Sequence, residues 1–184
     1  INVDKKALLH MQAIEHNKPS SAIISQNVGT DLFIPALQIA QAPAPDFKFA
    51  FYEGEFLNTT DLKQSTATEC GTSSKIGILN TKKKVNFGYK FSGFIKVAKD
   101  GVYTFYLTSN DGSRLFLNDQ EIINNEGMHS NRLIVESISL RAGYHRIEMD
   151  YFQAGGGSIL ELMWSGPGFE KSYLDSCLLF HHEE

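Results

Sequence analysis

Cysteine is scarce in this chain of 184 residues, which has only Cys70 and Cys177. No C-x-x-C pair can be built from them, so neither a zinc site nor thioredoxin-like chemistry is expected. In an oxidising compartment the two could be joined, or they could stand as free thiols; the sequence does not show that they approach. Clustered positive charge is also lacking. Seventeen Lys and Arg face twenty-one Asp and Glu, a formal net charge of −4. The one basic run, Lys82-Lys83-Lys84, reads as a solvated turn, so no nucleic-acid partner is expected. No apolar run approaches the roughly 20 residues of a membrane span. Ile1-Asn2-Val3-Asp4 does not begin a secretory signal, and the chain is expected to be a segment of a longer protein. Catalytic signatures are missing as well. There is no G-x-S-x-G elbow, and Gly155-Gly156-Gly157 lacks the lysine and following helix of a phosphate loop. Nothing sets two carboxylates across a cleft for glycoside hydrolysis. An enzyme is not expected.

From Phe47 onward a period of two is present almost everywhere. Phe47, Phe49 and Phe51 alternate with Lys48, Ala50 and Tyr52, and Tyr103, Phe105 and Leu107 with Thr104, Tyr106 and Thr108. Tyr89, Phe91, Ile95 and Val97 continue the theme with Gly93 breaking the row, as do His145 to Tyr151 and Leu160 to Trp164. Turn signals separate these runs: Lys99-Asp100-Gly101, Asn118-Asp119, Asn124-Asn125-Glu126-Gly127, Ala142-Gly143 and the triple glycine. Short strands at about ten-residue spacing predict an all-β fold, an antiparallel β-sandwich or barrel with a short N-terminal extension. The polar, aperiodic stretch Asn58 to Ser74 reads as a long surface loop. Trp164, Tyr103, Tyr151 and Phe152 sit in alternating runs and are assigned to packing, which leaves Phe116 and Phe169 as better candidates for exposed sugar platforms.

Residues 1–46 differ in character from 47–184. Pro35, Pro43 and Pro45 make Pro35–Asp46 an extended linker. Upstream, Leu8, Met11 and Ile14 suit a helix, while Leu9, Met11 and Ala13 suit a strand equally well. HMQAIEHNKPSSAII resembles the closing strand, turn and strand of small immunoglobulin-like domains found in glycosidases, which favours β; residues 1–46 are then either an N-terminal extension and linker or the end of a preceding immunoglobulin-like domain.

Within 47–184 the ordered strings GVYTF, SNDGSRLFL, EGMH, AGYH, YFQAGGG and WSGPG closely resemble the PA14 domain, a β-sandwich module named after the anthrax protective antigen. The resemblance runs from about Phe47 to Phe180. It implies a non-catalytic carbohydrate-binding or accessory module. The wording of VAKDGVYTFYLTSNDGSRLFLND and YFQAGGG is most similar to modules appended to bacterial glycoside hydrolases of the β-hexosaminidase type. The implied partners are a glycan and parent hydrolase domains in the same chain, and the implied location is secreted, periplasmic or at the cell surface. A structural or interaction domain without a sugar site, and a calcium-dependent adhesin-like lectin, are the alternatives.

The turn Ser109-Asn110-Asp111-Gly112-Ser113 gathers oxygens beside a glycine. In yeast adhesins of this family the matching position holds two aspartates, joined by a cis peptide, that bind calcium against sugar hydroxyls. Here Asn110 replaces the first. The resemblance therefore implies Asn110 and Asp111 as metal and sugar ligands at reduced calcium affinity. Without it, Asp111 reads equally as a hairpin cap bonded to backbone amides. Asn124 and His129 are further sugar candidates, with Asn118, Asp119 and Asn125 in the same loops. His181-His182-Glu183-Glu184 reads as a frayed terminus and not a metal tail.

Overall fold

The computed structural model describes residues 33–79, 83–174 and 179–181, with the backbone of four short strands upstream. Those four are β1 (Ala7–Met11), β2 (Ile14–Glu15), β3 (Lys18–Pro19) and β4 (Ile24–Val28). β1 pairs antiparallel with β4, and β2 with β3, so the ambiguous N-terminal run is β.

Two antiparallel sheets of unequal width make the sandwich, and no sheet closes into a barrel among the described residues. The spine of the larger sheet is β8 (Phe87–Val97), paired along its whole length with β13 (Gly143–Gln153). Beyond β13 lie β10 (Ser113–Leu117) and β11 (Gln120–Asn125). Two strands share the other edge of β8. β6 (Phe47–Glu53) takes one half and carries the edge strand β7 (Glu69–Ser73). β16 (Leu179–His181) takes the other and pairs with β5 (Ala44–Pro45). The smaller sheet is ordered β12 (Arg132–Leu140), β9 (Gly101–Asn110), β14 (Ile159–Gly166) and β15 (Phe169–Tyr173).

The alternation predicted from sequence is the alternation of burial. Tyr103, Phe105 and Leu107 on β9 face Tyr89, Phe91 and Ile95 on β8 within one core. Tyr103 stacks on Trp164 with ring centroids 5.4 Å apart, and Phe169 packs on Trp164 at 4.9 Å. Phe169 is thus partly buried, one face of its ring packed against the core. Trp164, Tyr103, Tyr151 and Phe152 are all buried, as their strand positions require. Asn118 and Asp119, both at positive φ, are the two-residue turn that folds β10 onto β11, the backbone that the right-handed twist of a hairpin favours.

The stretch Asn58–Ser74 is not a plain loop. It holds a 3-10 helix, Thr59–Gln64, and then β7. Leu62, 1 % exposed, joins Tyr52, Phe56 and Phe152 in a second apolar cluster on the outer face of the larger sheet. Its methyl groups fill the space over Gly88, where a Cβ would lie 2.5 Å away. One leucine fitting one distant glycine leaves no periodic trace in the sequence. β7 is exposed on most of its residues and held by backbone pairing to β6, so it shows no apolar alternation either.

The proline-containing segment is extended and docked on the sandwich. Ile34 N–H donates to the Ser139 carbonyl at 2.8 Å and Leu37 N–H to the Tyr144 carbonyl at 2.8 Å. The Arg141 guanidinium covers the Phe33 ring at 4.4 Å.

Candidate functional site

At one end of the sandwich β9 passes into β10 through Asn110, Asp111 and Gly112. The Asn110–Asp111 peptide bond is cis, the arrangement the resemblance implies. Gly112 is required there: a Cβ would sit 2.3 Å from the Phe152 ring and 3.1 Å from a Glu126 carboxylate oxygen. Its carbonyl accepts from Phe152 N–H at 2.9 Å, which clamps the turn to β13.

Asp111 is 5 % exposed, and its carboxylate is the junction of three loops. Oδ1 accepts from the backbone N–H of His129 at 2.9 Å. Oδ2 accepts from Ala154 N–H at 2.9 Å and Gly155 N–H at 3.2 Å. A carboxylate offers about four lone-pair directions, so three backbone donors leave it room for about one more partner. Asn110 behaves differently. Its Nδ2 donates to Asn131 Oδ1 at 3.3 Å, while its own Oδ1 is buried with no hydrogen-bond partner. A buried polar atom left in that state costs about 1–3 kcal/mol.

Beneath the turn lies a polar hub built on the fully buried Ser109, Ser113 and Asn125. Ser109 and Ser113 hydroxyls meet at 2.7 Å, Asn125 Nδ2 donates to Ser109 Oγ at 2.9 Å, and Arg132 Nε donates to Asn125 Oδ1. These contacts join the ends of β9, β10, β11 and β12. From β13, the Tyr151 hydroxyl lies 2.7 Å from the Asn110 carbonyl and 2.8 Å from Gln153 Oε1. Gln153 Nε2 donates in turn to the Gly155 carbonyl at 2.6 Å. Burial pushes the Tyr151 phenol far up, with the Asp111 charge adding to it, so it stays a neutral donor.

Of the residues expected from sequence, the fold gathers Asn110, Asp111 and His129 at this end. His129 touches the cluster through its backbone. Its ring nitrogens face the Ser130 carbonyl at 2.7 Å and the Asn125 carbonyl at 3.0 Å. Asn124 stands on the opposite face of β11 from Asn125, its Nδ2 donating to Glu121 at 3.0 Å and its Oδ1 accepting from Glu126 N–H at 3.3 Å. Asn118 and Asp119 lie at the far end of β10, where Asn118 binds the Pro35 carbonyl and Arg146 N–H. Phe116 is half-buried under Arg114, 4.8 Å from the guanidinium carbon. His181 Nδ1 is 3.1 Å from the Asp46 carbonyl, and His182, Glu183 and Glu184 lie outside the described residues. Cys70 is an exposed free thiol, and Cys177 lies outside the described residues.

Sequence reasoning missed Asn131 and the amides of Ala154 and Gly155. The glycine run reads only as a turn, and no local pattern links it to Asp111, 43 positions before Ala154.

Comparison with known proteins adds the lineage. The family model of the PA14 domain matches residues 51–176. An anti-sigma-I factor of Acetivibrio thermocellus is 29% identical over 98 residues, 53% of this chain and 15% of that protein, so the chain spans a small part of that relative. A PA14 sugar-binding domain from an RTX adhesin superposes with a TM-score of 0.64 at 15% identity, covering 76% of this chain and 99% of that one. The epithelial adhesin 6 A domain of Candida glabrata, solved with Galβ1-3GlcNAc, gives 0.57 at 11% identity, covering 79% and 90%. At such identities the structural likeness speaks for the fold.

Proposed function

The chain belongs to the PA14 domain family, and on that footing we propose that it is a non-catalytic carbohydrate-binding module whose sugar site is the Asn110–Asp111 turn with calcium. The observation that carries this reading is the buried, unpartnered Oδ1 of Asn110 beside a carboxylate with lone-pair capacity to spare. Asn110 Oδ1, a carboxylate oxygen of Asp111 and Asn131 Oδ1 are hard oxygen donors of the kind calcium takes. Calcium at such a turn would supply coordination positions for the vicinal hydroxyls of a sugar. The protein's own part is rigidity: three backbone amides fix Asp111, and Tyr151 holds the Asn110 carbonyl, so little is lost to ordering on binding. One carboxylate where the adhesin pattern has two sets the expected calcium affinity at the weak end, on the order of 10⁻⁴–10⁻³ M.

Weak binding suffices for a tethered module, because attachment to a parent raises the effective concentration. We assign the parent to a bacterial glycoside hydrolase of the β-hexosaminidase type, on the wording of VAKDGVYTFYLTSNDGSRLFLND and YFQAGGG. The location assigned is secreted, periplasmic or cell-surface, in keeping with the adhesin neighbours. Among the described residues no helix is long and apolar enough to cross a membrane.

A specific observation favours a second reading, a structural or interaction domain: Asp111 already serves three backbone donors, which is sufficient reason for its presence. Thermal unfolding in calcium separates the two. Calcium at ten times its dissociation constant stabilises the folded chain by about 1.4 kcal/mol. Asn110→Asp restores a charged ligand and should enlarge the shift, while Asn110→Ala abolishes it. No shift in the wild type and none in Asn110→Asp would support the structural domain.

A further inference from the structure

On the β6–β7 side of the larger sheet, the core-facing row of aromatic rings continues outward to the half-buried Phe49 and the exposed Glu69. Cross-strand pairing sets Glu69 beside Phe51 and Phe51 beside Tyr89, with Gly71, Phe49 and Phe91 in the next row. The Phe51 and Tyr89 centroids are 5.0 Å apart, and Phe49 meets Tyr89 edge-on at 6.3 Å. Between these rings and the segment beginning at Lys75 lies a cleft of about 540 Å³, large enough for a hexose or a disaccharide. Glu53, Glu69, Thr72, Ser73, Lys75 and Lys83 form its polar part. None of these residues belongs to the Asp111 cluster.

The chemistry of the lining selects the ligand. Glu53 and Lys83 pair at 2.9 Å, and the remaining rim charges, Glu69 and Lys75, are of opposite sign. An anion or a cation would gain at one and lose at the other. A neutral ring with an apolar face and several hydroxyls uses both, since carboxylates accept and ammonium groups donate. Phe49, half-buried, offers a ring for C–H stacking. Burial, helped by the Glu69 charge, pushes the Tyr89 phenol up to about 12 against a backbone hydrogen bond from Leu79. Tyr89 and Phe51, 2 % and 6 % exposed, belong to the core and form the floor of the cleft, so the accessible lining is Phe49 with the polar rim.

We propose that this cleft is a second sugar subsite that needs no metal ion. It stands independently of the Asn110–Asp111 turn and would give the module two contacts with one glycan chain or with two.

The test is saturation-transfer NMR in excess EDTA with N-acetylglucosamine, methyl galactoside and methyl mannoside. It uses the wild-type chain, Glu69→Gln and Phe49→Leu, each checked for folding by near-ultraviolet circular dichroism. The subsite predicts transfer to at least one sugar in EDTA, with affinity about ten-fold weaker in each variant. Absence of transfer in EDTA, or transfer that survives either folded variant at full strength, overturns it. Sugar binding at the Asn110–Asp111 turn would show the opposite signature, appearing with calcium and vanishing in EDTA. Failure of one reading therefore leaves the other intact.

Discussion

Replacing Asp111 with alanine removes the acceptor shared by His129, Ala154 and Gly155 N–H. Hydrogen bonds to a charged group contribute about 1.5–3 kcal/mol each. Three at the low end give about 4.5 kcal/mol. Gly155 is exposed, so water takes over one of the three after truncation, which leaves a loss of about 3 kcal/mol. For a chain of this size that lowers the melting temperature by about 6–12 °C. Asp111→Asn keeps one oxygen but turns an NH₂ toward a backbone donor, and should fall between alanine and wild type. Urea unfolding in EDTA isolates this structural contribution from any metal effect. Hydrogen exchange adds location, because the amides of His129, Ala154 and Gly155 should lose protection first. Stability of Asp111→Ala within 0.5 kcal/mol of wild type would refute the claim that this carboxylate joins the three loops.

Leu62→Ala empties the space over Gly88 and should cost about 2–4 kcal/mol by urea unfolding, as for other buried leucines. A loss below 1 kcal/mol would mean that the 3-10 helix is not pinned to the sheet. His145 is fully buried, with Nε2 2.8 Å from the Arg141 carbonyl and Nδ1 3.2 Å from Asn118 Nδ2. Burial pushes its imidazole down, only partly offset by the bond to Arg141. Below the unfolded value near 6.5, the unfolded chain therefore takes up a proton that the folded chain refuses, and stability falls as pH falls. Between pH 7.5 and 5, His145→Gln should flatten this slope by up to one proton. An unchanged slope would show that His145 is protonated in the folded state.

Much of the sandwich was legible because its strands have one wet face. Tyr103, Phe105 and Leu107 announce β9 through their alternation, and Asn118-Asp119 announces a tight hairpin. Where a strand has no apolar face, as at β7, or a short helix is held by the single side chain of Leu62, local pattern carries no signal and tertiary fit decides. The same division holds at the site. Asn110 and Asp111 were visible as an oxygen-rich turn. Their partners were not, since Asn131, Ala154 and Gly155 lie 21 to 44 positions away and are brought in by topology. Asn124 shows the limit of reading loops by composition: its neighbour Asn125 is in the hub, while the pleat of β11 turns Asn124 to the other face.

Sugar binding through calcium at the Asn110–Asp111 turn is the function proposed for this chain. The most direct measurement is calorimetric titration of a glycan panel containing N-acetylglucosamine, galactose and mannose into the chain, first in calcium and then in EDTA. Binding in calcium should contain a component that Asn110→Ala abolishes and that EDTA removes, whatever binding remains at the Phe49–Glu69 cleft. Titrations that show no calcium-dependent heat for any sugar, in wild type and in Asn110→Asp alike, would contradict it.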